Sequence, residues 1–147
     1  MKKIFALLFA VTMTVAVNAQ TAATVTFDMK SASYSQVNDT VTNTGSAQVI
    51  INFFKIWDYI SVTPIVTKIS GTLTANSTAK LQGSVDGTNW FAVNAADTLH
   101  IVNQTTNTTS WIVTSDEANP YAYLRVYYPG AGTMVATLRA KICLKNK

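Results

Sequence analysis

The last part of the chain alternates between apolar and polar side chains with a period of two, the pattern of half-buried β-strands. Residues 121–128 carry on one face Ala122, Leu124, Val126 and Tyr128. Residues 133–144 carry on one face Met134, Ala136, Leu138, Ala140, Ile142 and Leu144. These faces predict two strands that bury their apolar sides in a core. If the strands pair as a hairpin, a three-residue loop at 129–131 sets Val126 opposite Met134.

Shorter runs of strand-forming residues fill the chain after residue 20. They lie at residues 24–28, 40–42, 48–54, 59–63, 65–73, 80–85, 90–93, 98–102 and 109–114. Asn, Asp, Gly, Pro and Ser residues separate most of the runs, and no stretch of ten or more residues keeps a helical stripe. The pattern predicts an all-β fold, a single antiparallel β-sandwich of jelly-roll or immunoglobulin-like type with about 8–10 strands.

The segment LQGSVDGTNWFAV, residues 81–93, indicates a hairpin around an Asp-Gly turn. With a two-residue or four-residue loop, Trp90 shares the apolar face of Leu81, Gly83 and Val85. Its indole then fills the space that Gly83 leaves open. A three-residue loop would reverse the faces and expose Trp90. We expect Trp90 to be a core residue.

The first twenty residues predict export. Lys2 and Lys3 precede an apolar run, and the segment ends in Val17-Asn18-Ala19, which is typical of a signal peptide cleaved after Ala19. The alternative is a transmembrane anchor, but the apolar run is shorter than the roughly 20 residues that cross a bilayer. We expect no membrane span once the signal peptide is removed. We therefore expect a signal peptide at 1–19, one β-sandwich domain at 20–147, and an exported protein that is extracellular, surface-bound or periplasmic.

Charge and cysteine content narrow the choice of partners. Without Lys2 and Lys3 the chain has 9 basic and 7 acidic side chains, a net charge of +2 that does not indicate binding to nucleic acid. The single cysteine, Cys143, has no internal disulfide partner. We expect it to be available for intermolecular contact, with the terminal strands forming part of an oligomer interface. Burial as an ordinary core cysteine is the alternative.

Side chains that support catalysis or metal binding are sparse. His100 is the only histidine, and Asp116 and Glu117 are the only adjacent carboxylates. The sequence contains no phosphate-binding loop, nucleophile elbow or zinc-ligand spacing. We therefore expect no enzyme activity, no metal site and no cofactor.

The polar face of the penultimate strand carries more distinctive chemistry. Its outward stripe consists of Tyr121, Tyr123, Arg125 and Tyr127, and the hairpin register places Arg139 beside it. Aromatic rings next to guanidinium groups suit stacking on a sugar or burial in a protein interface. These five residues are the candidate binding site. Cross-strand packing under loops is the alternative interpretation.

Four motifs in order, VTKISGTL, LQGSVDGTNW, ADTLHIV and YLRVYYPGAGTMVATLRAK, resemble short β-rich proteins with signal peptides from Bacteroidetes and their phages. The similarity covers about residues 39–147, and some phage-encoded versions are regarded as virion or surface structural proteins. A weaker likeness is to discoidin-type galactose-binding domains, whose SxDGxxW hairpin and YxRVYP…LRAxIxC pattern look like residues 84–90 and 123–143. The N-terminal cysteine of those domains, which would pair with Cys143, is missing here, so no binding residue is carried over.

These observations predict a non-enzymatic, exported structural or interaction module on a cell or phage virion surface, with protein partners or self-association. The alternative is a carbohydrate-binding, discoidin-like adhesion module that binds a surface glycan.

Overall fold

A computed structural model describes the backbone of residues 23–27, 33–42, 45–53, 57–74 and 77–145. It describes the side chains of residues 40–42, 45–52, 57–74 and 77–145. The predicted signal peptide at 1–19 lies outside these residues. Within them, two β-sheets pack face to face around an apolar core, which confirms the predicted all-β sandwich.

The described residues form eleven strands and one short helix. The strands are β1 (Ala23–Phe27), β2 (Ser33–Thr42), β3 (Ser46–Phe53), β4 (Tyr59–Leu73), β5 (Thr78–Ser84), β6 (Phe91–Ala92), β7 (Thr98–His100), β8 (Thr106–Thr108), β9 (Trp111–Thr114), β10 (Tyr123–Pro129) and β11 (Gly132–Lys145). The helix α1 (Ser115–Ala118) follows β9 directly.

The strands are divided between two sheets. Sheet A has the order β1-β3-β10-β5-β6, with β7 also paired to β5. Sheet B has the order β2-β11-β4-β8, with β9 also paired to β4. The described pairings are antiparallel except that of β1 with β3, which is parallel. The chain changes sheet at each connection from β1 to β5, so consecutive strands there lie in opposite layers of the sandwich.

The predicted hairpin between β10 and β11 is wrong. β10 pairs with β3 and β5, whereas β11 pairs with β2 and β4, so the two strands are central in opposite sheets. Between them the N–H of Gly130 donates to the carbonyl of Gly45, and a Cβ at Gly130 would clash with the carbonyl oxygen of Thr42. The alternating pattern did not distinguish the two arrangements, because an apolar face is buried equally well in a hairpin and in facing sheets.

The predicted inner faces of the two strands are confirmed, with one exception. Their fully or almost fully buried side chains are Leu124, Val126, Tyr128, Met134, Ala136, Leu138, Ala140, Ile142 and Leu144. The Tyr128 hydroxyl donates a hydrogen bond of 3.2 Å to Sδ of Met134, which joins sheet A to sheet B inside the core. The exception is Ala122, which is exposed because β10 begins only at Tyr123.

Residues 59–73 form a single strand, whereas the sequence pattern predicted two runs, 59–63 and 65–73, on either side of Pro64. On one side β4 pairs with β11 from residue 59 to residue 73, with one register shift at Ile69. On the other side β9 pairs with residues 59–62 and β8 with residues 65–67. Pro64, which has no N–H to donate, therefore lies in the gap between two short partners, where a ladder hydrogen bond is not required.

The hairpin of β5 and β6 places Trp90 outside the core, contrary to the sequence-based expectation. Gln82 pairs with Ala92 and Gly83 with Phe91, so the loop 85–89 is odd in length. A loop with an odd number of residues places Trp90 on the face of Gln82, whereas a two-residue or four-residue loop would place it on the face of Gly83. Tyr121 occupies the place that was expected for the indole, since a Cβ on Gly83 would clash with the Tyr121 ring.

We expect Gly83→Ala to destabilise the protein by about 1–3 kcal/mol, because the added methyl group overpacks against the Tyr121 ring. The same substitution should cost much less in a Tyr121→Ala background, where the ring is absent. Denaturant unfolding of the complete double-mutant cycle measures this coupling. An equal cost in both backgrounds would show that Tyr121 does not restrict position 83.

Candidate binding surface

The outer face of sheet A brings together the central part of the predicted stripe. Tyr123, Arg125 and Tyr127 alternate along β10 with the buried Leu124 and Val126, so they point away from the core. All three outward residues are half-buried. Because β10 is paired on both sides, this row of side chains lies between the outer rows of β3 and β5.

Arg125 is held by its neighbours in two directions. Its Nε donates to Oε1 of Gln82 in β5, and its Nη1 donates to Oε1 of Gln48 in β3, both at 2.8 Å. Its guanidinium carbon lies 4.3 Å from the ring centroid of Trp90 and 4.7 Å from that of Tyr127, within the range of cation–π attraction. The amides fix the guanidinium from its edges and the rings pack against it. We call Trp90, Tyr123, Arg125 and Tyr127 the aromatic platform.

The positive charge of Arg125 has no carboxylate partner among the described side chains. Both of its hydrogen bonds go to neutral amides. Partial burial lowers the pKa of the guanidinium, an effect opposed by Tyr127, and the group still stays charged at neutral pH. Lys80, opposite Tyr127 in β5, adds a second, exposed positive charge. None of the strands of sheet A contains an Asp or Glu.

The turn before Trp90 is a self-contained network centred on Asp86. The Asp86 carboxylate accepts hydrogen bonds of 2.7–2.9 Å from the Ser84 hydroxyl, the backbone N–H groups of Thr88 and Asn89, and the Asn89 side chain. Gly87 takes a left-handed conformation, with φ of 73°. The backbone N–H of Asn89, followed by the other donors, holds the pKa of Asp86 well below its usual range. This turn sets the odd loop length that brings Trp90 onto Arg125.

Two of the five predicted binding residues lie away from the platform. Tyr121 precedes β10 and packs against the edge of the core. Arg139 is exposed in β11, on the outer face of sheet B, opposite Ile65. The grouping of Arg139 with the tyrosines depended on the hairpin that does not form.

Trp90, Gln48 and Gln82 belong to the site but were not predicted from the sequence pattern. The sequence did contain a signal for Trp90. Gln82 and Ser84 form the polar face of β5, and a loop with an odd number of residues places Trp90 on that same face. No comparable signal existed for Gln48, which becomes a neighbour of Arg125 only through the pairing of β3 with β10.

The histidine, the cysteine and Glu117 are dispersed over the sandwich. His100 is exposed in β7 of sheet A, and Cys143 is exposed in β11 of sheet B. Glu117 accepts hydrogen bonds from the backbone N–H and hydroxyl of Thr114, and these lower its pKa. Within the described ranges, no group of three or more His, Cys, Asp and Glu side chains is arranged to hold a metal ion. The described helix is too short to cross a membrane.

Cys143 is exposed, which excludes its burial as a core cysteine. It lies between Ser61 of β4 and Ser33 of β2 in the register of sheet B. Because β11 is paired on both sides, it offers no free edge to another copy of the chain. Intermolecular contact through Cys143 remains a prediction, and it would use the outer face of sheet B.

Comparisons with known proteins assign no family to the chain. No protein-family model matches it, and no curated protein is significantly similar to it. The function is therefore inferred from the geometry of the platform.

We expect Asp86→Asn to lower the thermal midpoint at neutral pH, because the amide cannot accept all the hydrogen bonds of the carboxylate. The folded-state pKa of Asp86 lies below its unfolded value, so its contribution to stability is present above about pH 4 and is lost as the pH falls further. Thermal melts between about pH 2 and pH 7 should show the difference between wild type and variant narrowing as the pH falls below about 4. Asp116→Asn, which removes an exposed carboxylate elsewhere, is the matched control. A difference that stays constant over this range would contradict the network.

We expect a thiol reagent to label Cys143 in the folded protein without denaturant, because the side chain is exposed on the outer face of sheet B. Mass spectrometry of labelled residues 20–147 provides the measurement, and Cys143→Ser is the blank. Labelling that required denaturant would mean that another molecule or segment covers this face.

Proposed function

We propose that this protein is a non-enzymatic, exported interaction module on a cell or virion surface that binds its partner through the aromatic platform. The observation that carries the proposal is the guanidinium of Arg125 held against Trp90 and Tyr127 by two amide hydrogen bonds. Trp, Tyr and Arg are the residue types that contribute most to binding energy in interfaces.

The ordering of Arg125 supports a binding role. A free arginine side chain has about 2 kcal/mol of rotamer entropy, part of which is lost whenever the guanidinium is fixed. Here Gln48 and Gln82 already fix it in the free protein. A partner that contacts the platform therefore meets a preorganised surface and loses less free energy to side-chain ordering on binding.

Carbohydrate is the more specific candidate for the partner. Among the described side chains, the most exposed large apolar ones are those of Tyr59, Ile69, Val85, Phe91, Val102 and Ile112, and none of these is an outward residue of β3, β5 or β10. The centre of a protein interface is usually apolar and buries anchors of this kind. The platform instead combines half-buried rings with amides and a guanidinium, groups that suit the C–H face and the hydroxyls of a sugar.

We expect residues 20–147 to bind glycans on a printed array, and Trp90→Ala to reduce that binding at least tenfold, about 1.4 kcal/mol, by removing one ring from Arg125. Ile112→Ala is the matched control, because Ile112 is 67% exposed on the outer face of sheet B. Circular dichroism confirms that both variants fold.

Two outcomes would contradict this proposal. Binding that survives Trp90→Ala but is lost in Ile112→Ala would place the site on sheet B. Release of sugar products from a bound glycan would show that the protein is an enzyme.

A further inference from the structure

We infer that the ligand of the aromatic platform is a carboxylate-bearing sugar, such as a uronic acid residue of an acidic polysaccharide, whose carboxylate binds the unoccupied N–H groups of Arg125. The inference rests on the proposed function and adds the charge and chemical class of the ligand.

The first support is the number of donors that Arg125 still offers. A guanidinium has five N–H groups, of which Nε carries one and each Nη carries two. Hydrogen bonds to Gln82 and Gln48 use the Nε group and one group on Nη1. The remaining groups, one on Nη1 and two on Nη2, have no acceptor among the described residues. They include both N–H groups of Nη2, which can donate charge-assisted hydrogen bonds to the oxygens of a carboxylate.

The second support is the charge of the surrounding surface. The strands of sheet A contain no acidic residue, and exposed Lys80 lies opposite Tyr127. In the adjoining turn Asp86 keeps its negative charge, but its carboxylate oxygens accept hydrogen bonds from neutral donors within that turn. A neutral ligand that covers Arg125 would desolvate an uncompensated charge, whereas a carboxylate compensates it.

The third support is the short distance between the charge and the rings. The guanidinium carbon lies 4.3 Å from the Trp90 centroid and 4.7 Å from the Tyr127 centroid. In a uronic acid the carboxylate is attached directly to the pyranose ring. A sugar whose carboxylate reaches Arg125 can therefore place its C–H face against one of the aromatic rings at the same time.

The test compares acidic polysaccharides with their carboxyl-reduced forms, which have the same backbone without the charge. We use galacturonan, glucuronan, alginate and a sialylated glycan, each immobilised for biolayer interferometry with folded residues 20–147. We expect at least one acidic form to bind ten times more tightly than its reduced counterpart. Arg125→Gln should abolish this preference, and Arg125→Lys should restore only part of it, since lysine keeps the charge but lacks the paired N–H groups.

Arg139→Gln is the matched control, because it removes an exposed arginine from sheet B and leaves the platform unchanged. The inference is supported if the preference for acidic over carboxyl-reduced glycans is lost in Arg125→Gln and kept in Arg139→Gln. Equal loss in both variants would overturn it, because the preference would then reflect overall charge.

Other outcomes separate this inference from the proposed function. Equal binding of acidic and carboxyl-reduced forms, lost in Trp90→Ala, would overturn the requirement for a carboxylate and keep the platform as the site. Binding of none of these glycans by the folded protein would overturn the acidic ligand, and the absence of any binding on the printed array as well would overturn the carbohydrate partner.

Discussion

Two-sided pairing of the last two strands is the constraint on which the rest of the sandwich depends. β10 lies between β3 and β5 in sheet A, and β11 lies between β2 and β4 in sheet B. Each strand has a continuous apolar inner face, so burying both faces requires the two sheets to stack. The hydrogen bond from Tyr128 to Met134 spans this junction within the core.

The same constraint creates the candidate site on the opposite side of sheet A. Since β10 has a partner on each side, Arg125 receives one amide acceptor from each of two strands that are distant in the sequence. Gln82 is 43 residues away and Gln48 is 77 residues away. Trp90 completes the arrangement because the Asp86 turn brings the chain back over the outer face. A strand at the edge of the sheet could not have been flanked in this way.

Much of the fold followed from local patterns, and the failures have identifiable causes. Alternation in β10 and β11 correctly predicted the buried residues, because side-chain direction in a strand depends only on parity. β4 was predicted as two runs separated by Pro64. The strand continues through Pro64 because this residue lies between the segments that pair with β9 and β8, where no N–H is needed for the ladder. Trp90 was assigned to the wrong face because an even loop was assumed for the β5–β6 hairpin, while the structure has an odd one.

By itself, the sequence determined the fold class, the inner faces of the last two strands and the outward direction of Tyr123, Arg125 and Tyr127, since each follows from a period-two pattern within one strand. Only the tertiary structure decided which strands are neighbours. That decision separated Arg139 from the tyrosines and brought Gln48, Gln82 and Trp90 to Arg125. The physical reason is that an apolar face specifies burial but no particular partner, and pairing is chosen by the packing of the whole core.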